Sequence, residues 1–371
     1  MSTVKTNAIL DANGGNTTTI NGVTPTQYNT MGKNRIINGD MRIDQRNAGA
    51  AVTANGSYAV DRFRLNQNIG SWSWQQDSSA PTGFDKSTKV TVTSSATPSG
   101  SEVAYYSQQI EGNNVYDFQF GTASAKTITL SFWVKSSVTG AFGLQFSNSA
   151  NDRSYVESYT ISSANTWEYK SITLVGDTSG TWLTDNGVGI RVRFDLGGGP
   201  STKTTAGSWV DGSYLGGATG TISLVETNGA TWYITGVQLE VGSVATEFER
   251  RPYGTELALC QRYFECSYNP GTAVGGNANI GGAYITGTSD GSSNTVFCGP
   301  YRVTKRAVPT QTFYQDGGTS GSWDFMKSGL TSTTTMTAFR SSQTYVLAYC
   351  GVGSTWAAVT IYGHWTASAE L

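Results

Sequence analysis

Hydrophobic and polar residues alternate one for one along much of residues 34–252. The alternation is clearest at 89–93, 128–134 and 190–196, where one face of each segment is apolar and the other is polar. A period of two places successive side chains on opposite faces of a β-strand, and strands with one polar face are typical of antiparallel sheets. Glycine-rich turns recur about every ten residues, as in β-sandwiches. The pattern predicts a jelly-roll β-sandwich in this part of the chain.

The last strands of this sandwich are predicted from the same pattern. Ile222 and Leu224 are expected to begin one strand, and 232–239 to form the last. The alternation slips at Gly236, a residue that accommodates the backbone of a β-bulge. We therefore expect a bulge inside the closing strand.

Beyond that strand the pattern changes and then returns. Pro252 and Gly254 lead into an apolar-patterned turn of helix at 257–264. Further strands are predicted at 283–285, 295–298, 310–314, 344–349 and 357–365. The expected fold class is all-β, with an N-terminal attachment segment (1–33), a central jelly-roll β-sandwich (34–252), a short helical linker (253–264) and a C-terminal β-sandwich tip domain (265–371).

Residues 1–33 are polar and lack a core pattern. They contain Asn-Gly turns at 13–14 and 21–22 and runs of threonine. Such a segment cannot bury enough apolar surface to fold alone, so it is either a flexible tail or a segment ordered by attachment to something else. Residues 1–10 lack the apolar stretch of a signal peptide, which predicts synthesis and assembly in a cytosol.

The amino-acid composition limits the classes of binding partner that we expect. Charged residues make up 13% of the 371 residues, and 24 basic against 26 acidic residues give a net charge of −2. The sequence has no basic stripe of the kind that binds nucleic acid. It also has no run of about 18 apolar residues that could insert into a membrane. The chain is nevertheless rich in aromatic residues, with 10 Trp, 19 Tyr and 14 Phe, so disorder is not expected.

Residues for catalysis or metal binding are scarce. His364 is the single histidine, and the four cysteines form no Cys-x-x-Cys pair, so we predict no catalytic triad, no zinc site, no cofactor and buried free thiols. Oxygen ligands at Asp185 and Asn186 leave a structural calcium open. A glycosidase needs only two carboxylates, but turn formation is the usual role of aspartates beside Gly and Asn. Those considered are Asp117, Asp152, Asp177, Asp185, Asp195 and Asp211.

Carbohydrate binding fits the composition better than catalysis. Sugar rings stack on aromatic planes, while amides and hydroxyls bind the sugar hydroxyls. The candidate carbohydrate-binding residues are Trp72, Trp74, Trp182, Trp209, Tyr214, Tyr314 and Trp323. A tryptophan within a strand is more often part of a core, and the alternative for Trp182, Trp209 and Tyr214 is an aromatic plug at one end of the sandwich or a subunit interface.

Two blocks of sequence resemble phage tail-fibre and tail-tip receptor-binding proteins. The first is NRIINGDMRIDQR at 34–46, followed by VDRF at 60–63; its position 44 is Asp, where the family commonly has an aromatic residue. The second is TWYITGVQLEVGSVATEFERRPYGTELALCQRYF at 231–264. RVTKRAVP at 302–309 and the final AEL at 369–371 are similar to the tip domains of such fibres.

The resemblance implies a structural virion subunit, made in the host cytoplasm and carried on a tail fibre. It implies a non-enzymatic homotrimer that is held to a phage tail or capsid protein through its N-terminus and binds a host-surface glycan. We expect Leu257, Leu259 and Phe264 at the trimer interface. We expect receptor contact in residues 265–371, and the central sandwich is the second candidate. The alternatives are a head fibre or capsid decoration protein, a glycan-degrading tailspike hydrolase, and a secreted bacterial carbohydrate-binding module.

Overall fold

The computed structural model describes residues 32–277, 283–287, 294–327, 330–351 and 359–371. The N-terminal segment 1–31, and with it most of the predicted attachment segment, lies outside these residues. The central strands are β1 (Phe63–Gln67), β2 (Ser71–Asp77), β3 (Ser87–Ser94), β4 (Ala104–Glu111), β5 (Ile128–Ser136), β6 (Gly140–Ser147), β7 (Arg153–Ile161), β8 (Glu168–Leu174), β9 (Val188–Asp195), β10 (Trp209–Asp211) and β11 (Thr231–Val241).

These strands form two antiparallel sheets packed face to face. One sheet has the order β1-β4-β9-β6-β7-β10, and the other β2-β3-β11-β5-β8. Rings from the two sheets meet in the core: Phe132 of β5 packs edge-on against Phe194 of β9 at 5.0 Å between centroids. Trp232 of β11 is fully buried and donates its indole N–H to the Tyr159 hydroxyl at 3.1 Å. The all-β, jelly-roll-like fold is confirmed.

The closing strand contains the expected bulge, but one predicted strand before it is absent. The pairing of β11 with β5 shifts register between Thr235 and Gln238, and Gly236 has a φ of 63°. A Cβ at Gly236 would lie 2.8 Å from the Phe84 ring, so the close approach also requires glycine. The prediction of a strand beginning at Ile222 is wrong, because Leu224–Glu226 forms a 3-10 turn that buries Leu224 in the core.

The C-terminal strands follow a single helix, α1 (Tyr253–Gln261). They are β12 (Phe264–Cys266), β13 (Ala283–Gly287), β14 (Asn294–Pro300), β15 (Thr310–Tyr314), β16 (Ser322–Lys327), β17 (Leu330–Ala338), β18 (Tyr345–Gly351) and β19 (Val359–Ser368). The first half of β19 pairs with β13 and β16, and its second half with β12 and β15. Gly363 lies at the change of partners, where a Cβ would be 2.5 Å from the Trp323 ring.

A buried ionic junction joins the two β-domains. Glu370 accepts hydrogen bonds from Arg46, at 2.8 Å, and from Arg62. Arg46 also pairs with Asp61 at 2.8 Å, and the Arg62 guanidinium lies 3.5 Å from the centre of the Tyr263 ring. These five residues, which we call the junction, come from both sequence blocks of the resemblance and from the final AEL. The domain boundaries expected from the sequence stay predictions. Among the described residues, no helix is long and apolar enough to cross a membrane.

Candidate functional site

Three of the proposed sugar-stacking tryptophans are core residues. Trp72 is 2% exposed, and Trp74 and Trp323 are 0% exposed. Trp72 and Trp74 do share one face of β2, but that face points into the sandwich. Trp323 donates its indole N–H to the main-chain oxygen of His364 at 2.8 Å. The prediction that these three side chains contact a ligand is therefore wrong.

The two candidate tyrosines are half-buried and far apart in the fold. Tyr214 lies in the loop between β10 and β11, where its ring packs against Gly212. Tyr314 ends β15 and packs edge-on against Tyr268 at 6.0 Å. Neither residue belongs to the group of aromatic rings around Trp182.

Trp182 and Trp209 are brought together, although 27 positions separate them in the sequence. Their ring centroids lie 5.2 Å apart in an edge-to-face arrangement, and Phe120 packs edge-on against both at 4.9 and 5.7 Å. Both indole N–H groups are satisfied, Trp182 by the Ser179 carbonyl at 3.0 Å and Trp209 by the Val175 carbonyl at 2.8 Å. All three side chains are half-buried. They form a rigid aromatic wall at the edge of the sandwich.

A cleft of about 310 Å³ opens beside this wall. Tyr116, which is 65% exposed, stands at its rim. No lining side chain carries a charge; the lining residues are Val115, Tyr116, Phe118, Gln119, Phe120, Thr122, Ser124, Trp182, Leu183, Thr184, Gly189 and Ile190. Its volume is at the lower end of the roughly 300–1,000 Å³ typical of small-molecule sites. We call this cavity the aromatic cleft.

The two loops that form the cleft are joined by main-chain contacts. The N–H of Gly112 donates to Gly187 at 2.9 Å, and the N–H of Asn113 to Asp185 at 2.8 Å. A Cβ at Gly112 would lie 2.4 Å from the Leu183 carbonyl, so only glycine permits this approach. The chain then turns through Tyr116–Phe118, a 3-10 turn.

Salt bridges outside the cleft also hold these two loops in place. Arg153 binds both oxygens of Asp177, at 2.9 and 2.7 Å, and these hydrogen bonds raise the pKa of Arg153. Asp177 lies at the start of the loop that carries Trp182. On the other loop, Asp117 pairs with Arg35 at 2.7 Å. The cleft is therefore preorganised by side chains that do not line it.

Sequence reasoning missed the Tyr116 side of the cleft. Tyr116, Phe118 and Phe120 are aromatic residues at every second position of YDFQF. That spacing was a usable signal, but the segment adopts a 3-10 turn followed by Gln119 at a φ of 55°. This turn places Phe118 in the core and Tyr116 in solvent.

The aspartates considered as catalytic pairs have structural partners or lie apart. Asp117 and Asp177 are salt-bridged to arginines, and Arg153 also bridges Asp177 to Asp211. Asp185 accepts from the Gly187 N–H at 2.8 Å, as expected for a turn residue. Asp152 is exposed and bonds to the Asn148 side chain.

Asp195 is a buried carboxyl group with a raised pKa. Its side chain accepts from the amides of Gly197 and Gly198 at 3.0 and 2.6 Å, and Lys203 lies 3.5 Å away. Burial outweighs these favourable contacts and raises the pKa of Asp195 from 3.8 to about 6.

We expect Asp195→Asn to change the pH dependence of stability. A carboxyl group whose folded pKa is raised stabilises the fold below its unfolded pKa and loses that contribution as pH rises through about 6. Relative to the variant, the wild type should lose up to about 3 kcal/mol of unfolding free energy between pH 4 and 7. Urea denaturation of both proteins across this range measures the difference. Parallel pH profiles would contradict the assignment.

The predicted trimer-interface residues differ in accessibility. Phe264 is buried within one chain, because the Arg46 guanidinium covers its ring at 3.6 Å from the centroid. The prediction that Phe264 faces another subunit is therefore wrong. Leu257 and Leu259 are half-buried and pack against a small cluster that contains Ile37, Ile43, Cys260 and Tyr263.

Among the described residues, no group of three or more His, Cys, Asp or Glu side chains could hold a metal ion. Asn186, named with Asp185 as a possible calcium ligand, donates its side-chain N–H to the Arg306 main-chain oxygen at 3.1 Å and accepts from the Arg306 guanidinium at its own main-chain oxygen at 2.7 Å; the calcium site stays a prediction. All four cysteines are free. Cys298 is exposed rather than buried, which corrects the expectation for that residue.

Comparisons with known proteins add only distant likenesses. No protein-family model and no curated protein matches the sequence. The enzymatically active domain of tailspike protein 4 from bacteriophage CBA120 matches with a TM-score of 0.31 and 14% identity, over 56% of this chain and 21% of that one. The family 11 carbohydrate-binding module of Clostridium thermocellum matches with a TM-score of 0.29 and 12% identity, over 53% of this chain and 98% of that one. An arabinose-bound α-L-arabinofuranosidase matches with a TM-score of 0.30 and 12% identity, over 54% of this chain and 26% of that one. Likenesses of this degree carry no conclusion about function.

Proposed function

We propose that this protein is a structural subunit of a phage particle, a tail fibre that attaches to a host-surface glycan. The observation that carries the binding half of the proposal is the uncharged aromatic cleft beside Trp182. The sequence resemblance supports the virion half. A head fibre or capsid decoration protein is the alternative within the same class.

The chemistry of the cleft suits a neutral sugar ring. The aromatic wall offers ring faces and edges against which the C–H groups of a pyranose can pack. Gln119, Thr122, Ser124 and Thr184 offer an amide and hydroxyls to the sugar hydroxyls. Because the indole N–H groups already have main-chain partners, the wall needs no rearrangement before binding, and preorganisation lowers the entropic cost of association.

We propose that the central sandwich, rather than residues 265–371 as expected from the sequence, makes the receptor contact. The cleft gathers aromatic side chains from two separate loops there, whereas Trp323 of the C-terminal domain is core and Tyr314 packs against Tyr268. The junction supports a structural role for the two sequence blocks of the resemblance, because their arginines and carboxylates pair across the two domains.

We propose a homotrimer as the assembled form. Leu257, Leu259 and the 47%-exposed Tyr253 give α1 an apolar surface that a second chain could cover, and three chains can shield one another's sheet edges. Multi-angle light scattering should give about three times the 39.5 kDa chain mass. A stable monomer at micromolar concentration would rule the trimer out.

The proposed protein binds glycan without cleaving it, and a glycan-degrading tailspike is the second candidate. Binding and cleavage are distinguished by incubating purified protein with surface polysaccharide from bacteria to which the protein binds. We expect co-sedimentation with the polysaccharide and no change in polymer length on size-exclusion chromatography. Shortening of the polymer would replace the adhesive function with hydrolysis.

A further inference from the structure

Three arginines share the outward face of the six-stranded sheet. Arg64 lies on β1, and Arg191 and Arg193 on β9, each between neighbours that point into the core. Arg64 and Arg193 flank Ser107 of β4 directly across the sheet. We call Arg64, Arg191 and Arg193, together with Tyr105 of β4, the arginine face.

The hydrogen-bond partners of these arginines are neutral. Arg193 donates to the side chains of Gln145 at 2.7 Å, Ser147 at 2.9 Å and Asn151 at 2.9 Å. Arg191 donates to the main-chain oxygens of Asn148 and Ser149. With the Gln109 amide oriented so that both of its polar atoms are satisfied, Arg64 donates to the Gln109 oxygen and the Gln109 nitrogen donates to the Leu371 main-chain oxygen at 3.1 Å.

No carboxylate of the described residues lies within ion-pair distance of the three guanidinium groups. Most other partly buried arginines pair with Asp or Glu, namely Arg35, Arg42, Arg46, Arg62, Arg153, Arg251 and Arg262. Arg306 is the exception, and it donates to three main-chain oxygens. Asp195 is in the next row of the sheet, opposite Tyr105, but its oxygens face Gly197, Gly198 and Lys203.

The uncompensated charge has an electrostatic cost. Burial lowers the pKa of Arg193 to about 10; Tyr105 opposes this lowering, and the charges of Arg191 and, to a smaller extent, Arg64 add to it. Burial likewise lowers the pKa of Arg191. Buried charges are normally paired because desolvation is expensive. A bound anion would supply the missing partner.

Two further groups on this face fit a sugar. The Tyr105 ring is half-buried, with the Arg193 guanidinium carbon 5.0 Å from its centre. Asn66, next to Tyr105 across the sheet, has a buried side-chain oxygen without a hydrogen-bond partner. Arg193 is only 4% exposed, whereas Arg64 and Arg191 are half-buried. A ligand would therefore contact Arg64 and Arg191 directly and interact with the charge of Arg193 without touching it.

We propose that the arginine face binds an anionic saccharide, whose carboxylate or phosphate is held by Arg64 and Arg191 while its ring lies against Tyr105. The inference rests on the proposed glycan binding and adds an acidic sugar class and a second site, distinct from the aromatic cleft. Arginine suits this role because its planar fork matches an oxyanion bidentately.

The test is isothermal titration calorimetry on the full-length protein with trigalacturonate and with its methyl ester, which keeps the sugar skeleton but removes the charge. We expect the acid to bind, the ester to bind at least about tenfold more weakly, and Arg191→Gln to weaken binding of the acid by a similar factor. Arg250→Gln is the matched control, since Arg250 is exposed and stacks on Phe84 at 4.7 Å beside the other sheet. Its affinity should equal that of the wild type.

Glucose 6-phosphate and inorganic phosphate distinguish the sources of the oxyanion. Binding of glucose 6-phosphate that Arg191→Gln abolishes supports the site with phosphate as its anion. Equal affinity for inorganic phosphate and both sugars would overturn the saccharide part. The inference also fails if neither sugar binds below about 10 mM, or if Arg191→Gln and Arg250→Gln behave alike. Trp182→Ala should leave trigalacturonate binding to the arginine face unchanged. The arginine face and the aromatic cleft are therefore tested independently of each other.

Discussion

Replacing Glu370 with alanine should lower the free energy of unfolding by about 3–5 kcal/mol, because it leaves two buried arginines without their shared counter-ion. Glu370 is the sole carboxylate partner of Arg62 and one of two partners of Arg46 among the described residues. Arg62 cannot turn to solvent without leaving the Tyr263 ring. The variant therefore retains the desolvation cost of the charge and loses the attraction that offset it.

Guanidinium denaturation of Glu370→Ala, Glu370→Gln and a surface control measures this effect. Glu370→Gln keeps an acceptor of similar shape and should lie between the wild type and alanine. The control is Asp211→Ala, which removes a carboxylate that pairs with Arg153 at 2.7 Å but is 90% exposed; exposed pairs contribute little. If Glu370→Ala and Asp211→Ala lose equally little stability, the junction is not what holds the domains together.

Strand prediction succeeded where hydrophobic alternation was continuous. The strands β3, β5, β9 and β11 coincide with the alternating segments, and the slip at Gly236 is the observed bulge. The strands β4, β6, β7, β8, β10, β12, β16 and β17 were missed, and β17 shows one reason. Residues 331–337 are six polar residues, mostly threonine, and one methionine, so β-branching stabilises the strand without producing an apolar face.

The sequence could show which tryptophans share a face but not whether that face is inside. Trp72 and Trp74 alternate with serine in SWSW, and both a core strand and a ligand platform have this spacing. The aromatic cleft was only half predicted for a different reason. The wall beside it consists of rings from positions 120, 182 and 209, and their meeting depends on loop contacts such as Gly112 against Leu183 that have no local signature.

Removing the Trp182 side chain should weaken glycan binding by about 30-fold or more, since central aromatic residues of a binding site typically contribute about 2 kcal/mol or more. Trp182 forms one wall of the cleft and holds Phe120 and Trp209 in place through edge-to-face contacts. Tyr116→Ala should weaken binding without affecting the fold, because Tyr116 stands at the rim and is mostly exposed. It separates loss of the binding surface from loss of structure.

The most direct test of glycan attachment through the aromatic cleft is the affinity of Trp182→Ala, Tyr116→Ala and Trp167→Ala for the surface polysaccharide that the wild type binds. Trp167 is the control, a half-buried tryptophan that packs against Tyr233 at 6.2 Å on the opposite sheet. Biolayer interferometry on immobilised polysaccharide should show strong loss for the two cleft variants and wild-type affinity for Trp167→Ala, with all three folded by circular dichroism. Wild-type affinity in both cleft variants would contradict the account.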